Sequence, residues 1–177
     1  MPPESDARRD AGNRFAMPLA ITLVVFLADQ ATKHVIRTRL DPRESIPVLD
    51  GFLNIVHARN PGAAFSFLAD APAWFRGPFF VVITVAAIAA LLYVIARLPP
   101  EDRLMRFALG GVLGGAVGNL VDRILYGEVT DFIDVYWGSH HWPAFNVADS
   151  SITVAVVAVV LQALFVARSE ASQLSKP

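Results

Sequence analysis

Cysteine is absent from the 177-residue chain. That excludes disulfides, thiolate metal sites and a cysteine nucleophile, and it leaves the redox compartment undetermined. Charge is scarce too: Asp, Glu, Lys and Arg make up 18% of the sequence, against roughly a quarter in an ordinary soluble domain. The net charge is −1, so nothing argues for nucleic acid or for a strongly anionic membrane surface as partner. There is no P-loop, dinucleotide fingerprint, H-E-x-x-H pair, G-x-S-x-G elbow or internal repeat. What the chain does have is 54% hydrophobic residues, and their distribution decides between a core and a set of membrane spans.

They are gathered into runs. Pro78 to Ala96 and Ser150 to Ala167 carry no charge, nor do the shorter runs Phe107 to Val121 and Phe15 to Ala28. A bilayer core of about 30 Å takes about 20 helical residues, so two runs span outright and two span if polar residues are tolerated at one end. Four transmembrane helices are expected, near residues 16–36, 75–97, 104–126 and 150–168. Arg8, Arg9 and Arg14 before the first run would also suit a signal peptide. No A-x-A-like site follows it, however, and Asp29, Gln30 and Lys33 come directly after, which favours a retained helix. Residues 1–14 and 169–177 read as polar, disordered tails around a membrane unit of residues 15–168.

The connections differ in kind. Residues 97–104, "RLPPEDRL", make a short proline-broken link, so the second and third helices form an antiparallel pair. Residues 41–73 break short apolar runs with Asp-Gly and Asn-Pro-Gly, which predicts a small β element. Residues 127–149 are dense in Trp, Tyr and Phe and are expected as an interfacial loop or helix. Four spans put both termini on one side and both long connections on the other. The basic residues divide almost evenly between the two sides and lean weakly toward cytoplasmic termini.

Charges at the end of a span are costly, about 2.5–3.5 kcal/mol each on insertion scales, so each needs a partner or a task. Asp29 and Lys33 are four apart and share a helix face. Asn119, Asp122 and Arg123 make a polar patch on the third helix, below glycines at 110, 114 and 118 that permit close helix packing. A packing role accounts for these groups as well as a catalytic one does. Asp131 and Asp149 lack an obvious basic partner nearby in sequence, and Asp149 could simply be an N-cap or first-turn acid of the fourth helix. If the helix ends converge, two carboxylates meet at the water–lipid boundary and share a proton. One then activates water while the other polarises a carbonyl, which is aspartic-protease chemistry without cofactor or metal. His140 and His141 read as residues of a wet loop rather than metal ligands, His34 and His57 as surface or loop residues, and Asp134 as solvated. A proton-coupled transporter and a non-enzymatic scaffold are the competing classes. The first would want charges near mid-span, whereas here they sit at one end.

Four blocks in order carry a resemblance: "DQATK" (29–33), "NPGAAF" (60–65), "GNLVDRILYGEVTDF" (118–132) and "FNVADSSI" (145–152). With them the chain resembles the bacterial lipoprotein signal peptidases, signal peptidase II. The resemblance implies an all-α inner-membrane enzyme of four helices with a small extracytoplasmic β element and both termini in the cytoplasm. It implies an aspartic endopeptidase that needs no cofactor. Such an enzyme cuts the signal peptide from a diacylglyceryl-modified prolipoprotein just before the lipidated cysteine, at the extracytoplasmic leaflet. Asp131 and Asp149 match the catalytic pair. Asn60, Gly62, Asn119, Arg123 and Asn146 match positions that line the site or hold substrate and the antibiotic globomycin. Asp29, Lys33, Asp122 and Glu128 match supporting positions. Membrane lipid is the surrounding partner, and a monomer is expected. Thr130 departs from the family pattern, which more often has a β-branched apolar residue there.

Overall fold

The computed structural model describes residues 4–62, 71–99 and 101–174. Four helices dominate: α1 (Glu4–Arg39), α2 (Ala73–Arg97), α3 (Arg103–Tyr126) and α4 (Val147–Leu174). All four are long and apolar enough to cross a membrane. The apolar runs thus form the expected spans, but their ends lie further out. α1 begins at Glu4 and takes in most of the stretch expected as a disordered tail, while α4 extends to Leu174. Gly12 is the only strong helix breaker between Glu4 and the apolar run, so nothing stops the helix there.

α3 is the central helix, packed on α1, α2 and α4. Its glycines explain how. A methyl group on Gly110 or Gly114 would collide with α1 backbone, 2.7 Å from the Pro18 carbonyl oxygen and 2.9 Å from that of Thr22. One on Gly118 would lie 2.5 Å from the Asp29 carboxylate, also on α1. On the next stripe, a methyl at Gly115 would lie 2.5 Å from the Ala148 carbonyl oxygen of α4. Two adjacent small-residue stripes therefore seat two different helices within one chain. Hydroxyls lock both contacts: Thr22 donates to the Gly110 carbonyl and Ser151 to the Gly111 carbonyl, each at 3.0 Å. Most other large apolar side chains point outward, as lipid-facing residues do, among them Leu23, Val82, Val160 and Phe165.

At the terminal end, Arg106 is 3% exposed with no carboxylate beside it among the described groups. Its guanidinium donates to the carbonyls of Leu98 and Pro99, past the end of α2, and to that of Arg14 at 2.9 Å. Pro18, four residues on, has no N–H to give Arg14, so Arg106 supplies the donor that the proline lacks.

At the opposite end the chain builds a four-stranded antiparallel sheet, β1 (Ser45–Leu49), β2 (Leu53–Asn60), β3 (Val129–Trp137) and β4 (His140–His141), in that order. The β element expected in 41–73 is therefore half of a larger sheet. The expected interfacial loop or helix in 127–149 is corrected to strands. Val129–Trp137 is rich in β-branched and aromatic residues and pairs along β2, with Asn60 opposite Val129 and Asn54 opposite Asp134. His57 falls in the irregularity between Ile55 and Ala58. It is buried rather than at the surface, its Nδ1 2.9 Å from the Leu40 carbonyl at the end of α1.

Candidate active site

Two helix ends deliver two carboxylates. α3 stops at Gly127, which takes the left-handed conformation (φ 74°) and donates its N–H to the Arg123 carbonyl. The chain turns at once into β3. The Thr130 N–H donates to Asp122 Oδ2 at 3.1 Å, which ties the strand's start back onto α3 and presents Asp131 at the helix end. Asp149 arrives from the other side, in the first turn of α4. It is not the cap itself. Asn146 precedes the helix, its Oδ1 accepting from the Asp149 N–H at 3.0 Å while Asp149 Oδ2 accepts from the Asn146 N–H at 3.2 Å. This is a reciprocal capping box in which the acidic member is the candidate catalytic group.

Neither carboxylate is held by a cation. Asp131 accepts from Asn60 Nδ2 at 2.9 Å and from Asn146 Nδ2 at 2.7 Å; Asp149 Oδ1 accepts from Asn119 Nδ2 at 2.8 Å. Each of these three amides is oriented by a donor on its oxygen. Gly62 N–H donates to Asn60 Oδ1, Lys33 Nζ to Asn119 Oδ1 at 2.8 Å, and Asp149 N–H to Asn146 Oδ1. With the oxygen end engaged, the NH₂ end must face the carboxylate. Burial, and then the neighbouring Asp149 carboxylate, push the Asp131 carboxyl up to about 7. The Asn60 and Asn146 amides and the more distant Lys33 charge oppose that rise. Asp131 thus keeps its proton to near neutral pH.

Behind the pair lies a second cluster. Lys33 Nζ sits 2.9 Å from Asp29 and 3.2 Å from Asp122, and all three side chains are fully buried. Arg37 reaches Asp122 at 3.2 Å and the Thr130 hydroxyl at 3.1 Å, and Gln30 bridges both acids. Asp29 Oδ1 also accepts the Ala148 N–H at 2.9 Å, fixing the first turn of α4. The expected Asp29–Lys33 pair is present, and it is one side of a network that ends on Asp149 through Asn119.

The remaining sequence candidates fall around this centre. Arg123 donates to the carbonyls of Gly62 and Asn119 and lies over the Phe80 ring, so it ties the segment just after β2 to α3 and α2. Glu128 pairs with Arg59 at 3.2 Å on a largely exposed side chain, a contact of small energetic weight. Ala63, Ala64 and Phe65 lie outside the described residues. Asp134, expected to be solvated, is 8% exposed and accepts from Asn54 at 2.9 Å, with His141 Nδ1 at 2.8 Å. Among the described residues no three acidic or histidine side chains converge as a metal site. A cavity of about 1180 Å³ opens over the pair, with Asn60, Asn119, Arg123, Asp131 and Asp149 in its polar floor and Ile152 and Val154 of α4 on its apolar wall.

A buried and a half-buried aspartate from two elements thus share one cleft. A family model described as Signal peptidase (SPase) II matches residues 21–165. This chain belongs to the signal peptidase II family. It is 49% identical over 148 residues to the lipoprotein signal peptidase of Syntrophus aciditrophicus, covering 81% of this chain and 92% of that one. It is 47% identical over 147 residues to that of Geobacter metallireducens, covering 83% and 88%. Among solved structures, a bacterial membrane enzyme determined by the in meso method at 2.3 Å resolution superposes with TM-score 0.77. It shares 34% identity and covers 90% of this chain and 93% of that one. The chain is a multi-pass membrane peptidase, four helices with a small antiparallel sheet.

Proposed function

We propose that Asp131 and Asp149 are the catalytic pair of an aspartic endopeptidase that removes the signal peptide from diacylglyceryl-modified prolipoproteins, cutting just before the lipidated cysteine. One observation carries the assignment: two carboxylates from different elements share a cavity at one end of the four helices, held by oriented neutral amides and not by cations. The proton sits on Asp131, whose carboxyl is pushed up to about 7 by burial and by the neighbouring Asp149 carboxylate.

Hydrolysis then balances. Asp149 takes a proton from water as the oxygen attacks the scissile carbonyl carbon, and Asp131 gives its proton to the carbonyl oxygen. Collapse of the resulting gem-diol breaks the C–N bond. The cysteine nitrogen takes the proton from Asp149, and one diol hydroxyl returns its proton to Asp131. The apolar wall of Ile152 and Val154 accommodates the acyl chains or the signal helix.

In this reading residues 15–168 form the peptidase unit, in the bacterial inner membrane. Both termini lie in the cytoplasm, and the sheet and cavity sit at the extracytoplasmic leaflet. Membrane lipid surrounds the helices, globomycin competes for the cavity, and the enzyme works as a monomer, since both glycine stripes of α3 are occupied within the chain. The test uses purified protein in detergent with one precursor in two forms, with and without the diacylglyceryl group on its cysteine. The lipidated form is cut before the cysteine and globomycin blocks the cut. Equal cleavage of the unmodified form, or no cleavage of either, contradicts the proposal.

A further inference from the structure

The cavity continues beyond the catalytic pair, and its outer part holds a second set of polar side chains. β3 follows α3 after the Gly127 turn, and Asp134 lies three residues farther along it than Asp131. Three strand residues span about 10 Å. Asp134 lines the cavity, buried, with the Asn54 amide on one side and His141 on the other. His141 lines it too. Its Nδ1 faces both Asp134 oxygens, at 2.8 and 3.1 Å, and its ring stacks on Tyr136 at 5.0 Å between centroids and 9° between planes. The Gly138 turn (φ 59°) folds β4 back on β3 and brings the imidazole to the carboxylate. With Nδ1–H on Asp134, the couple offers acceptors to the cavity: carboxylate lone pairs and the ring Nε2.

We propose that Asp134 and His141 form a subsite for the mature segment of the substrate, within a few residues beyond the cleaved bond, that takes a hydrogen-bond-donating side chain. The inference rests on the peptidase reading above. That reading sends the apolar signal segment toward the helices, so the polar segment after the cysteine must leave along β3, past Asp134. A residue two or three places after the lipidated cysteine then meets the acceptor couple at the distance that the strand spacing sets. Asp134 and His141 touch no reacting atom; they select and orient the substrate.

The experiment uses purified protein and diacylglyceryl-modified precursors that carry threonine or valine at the second, third or fourth residue, counting the cysteine as the first. Threonine and valine have the same shape and differ by a hydroxyl, so their kcat/KM ratio reads one hydrogen bond. The wild type favours threonine at one of these positions by roughly three- to tenfold. His141→Phe, which keeps the stack on Tyr136 and removes both nitrogens, lowers that ratio, and Asp134→Asn lowers it further toward one. A structural role would slow both precursors alike and leave the ratio unchanged; that result in both variants overturns the subsite. So does a wild type that cuts threonine and valine precursors equally at all three positions. A wild type that cuts none of them removes the peptidase reading as well.

Discussion

Two pairs of aspartates sit at the same end of the helices and are treated in opposite ways. Asp29 and Asp122 are fully buried and hold cations at 2.9 to 3.2 Å, Lys33 between them and Arg37 on Asp122. Asp131 and Asp149 receive only amide donors, although Lys33 is a single side chain away through Asn119. A cation in direct contact fixes a carboxylate as an anion and removes it from acid–base chemistry near neutral pH. A neutral amide positions a carboxylate and leaves its proton free to move. The first pair thus serves the fold, holding α1, α3 and the start of α4 together. In the proposed mechanism the second carries the proton transfer, and the fold leaves it without counter-ions.

The largest effect on stability follows from breaking the first pair. Lys33→Met leaves two buried carboxylates without their shared cation, at a cost of about 3–5 kcal/mol. Thermal unfolding in detergent should show little folded protein. Asn146→Ala strikes where the two regions meet, since it removes the helix cap and the Asp131 contact together. It costs about 1 kcal/mol of stability but roughly 100-fold in kcat, because the carboxylates drift from their working geometry. Wild-type-like turnover in that variant would break the comparison.

pH sharpens it further. The folded Asp131 holds its proton up to about 7, while the unfolded chain gives it up near 4, the ordinary aspartate value. Between those values the folded state binds more protons, so Asp131's contribution makes stability fall as pH rises, and above about 7 the full penalty is present. Activity follows the same group: kcat/KM declines on the alkaline side as Asp131 ionises, with a midpoint near 7. An alkaline limb absent up to pH 9 would contradict the assignment of the proton. The smallest effect is Thr130→Val. It removes the hydroxyl that accepts from Arg37 at 3.1 Å, while Arg37 keeps Asp122 and the face of Tyr126. About 1 kcal/mol of stability and no change in kcat are expected, measured by unfolding and initial rates. The same bond shows what the threonine hydroxyl does at this position.

The spans were legible because charge-free runs of helical length have few other uses. Asp29 and Lys33 were legible as a pair because four residues separate them. Their ties to Asp122, Asn119 and Ala148 were not, since those contacts join residues far apart in the chain. Asp134 and His57 are buried against expectation for the same reason: Asn54 and the Leu40 carbonyl, which satisfy them, come from β2 and the end of α1. Two further signals do stand in the sequence. Asn146 and Asp149 stand three apart at the start of an apolar run, the spacing of a capping box. Val129–Trp137 has the β-branched and aromatic composition of a strand, which its interfacial aromatics masked.

The claim that cation-held aspartates serve the fold and amide-held ones the chemistry is tested most directly by one paired measurement. Asp131→Asn and Asp29→Asn are purified side by side at pH 8, and each is assayed for unfolding temperature and for cleavage of a lipidated precursor. The account predicts that Asp131→Asn unfolds at about the wild-type temperature and cuts nothing, because it removes a buried charge that has no cation. Asp29→Asn should unfold at a clearly lower temperature. Residual wild-type cleavage by Asp131→Asn, or a loss of stability equal to that of Asp29→Asn, would contradict it.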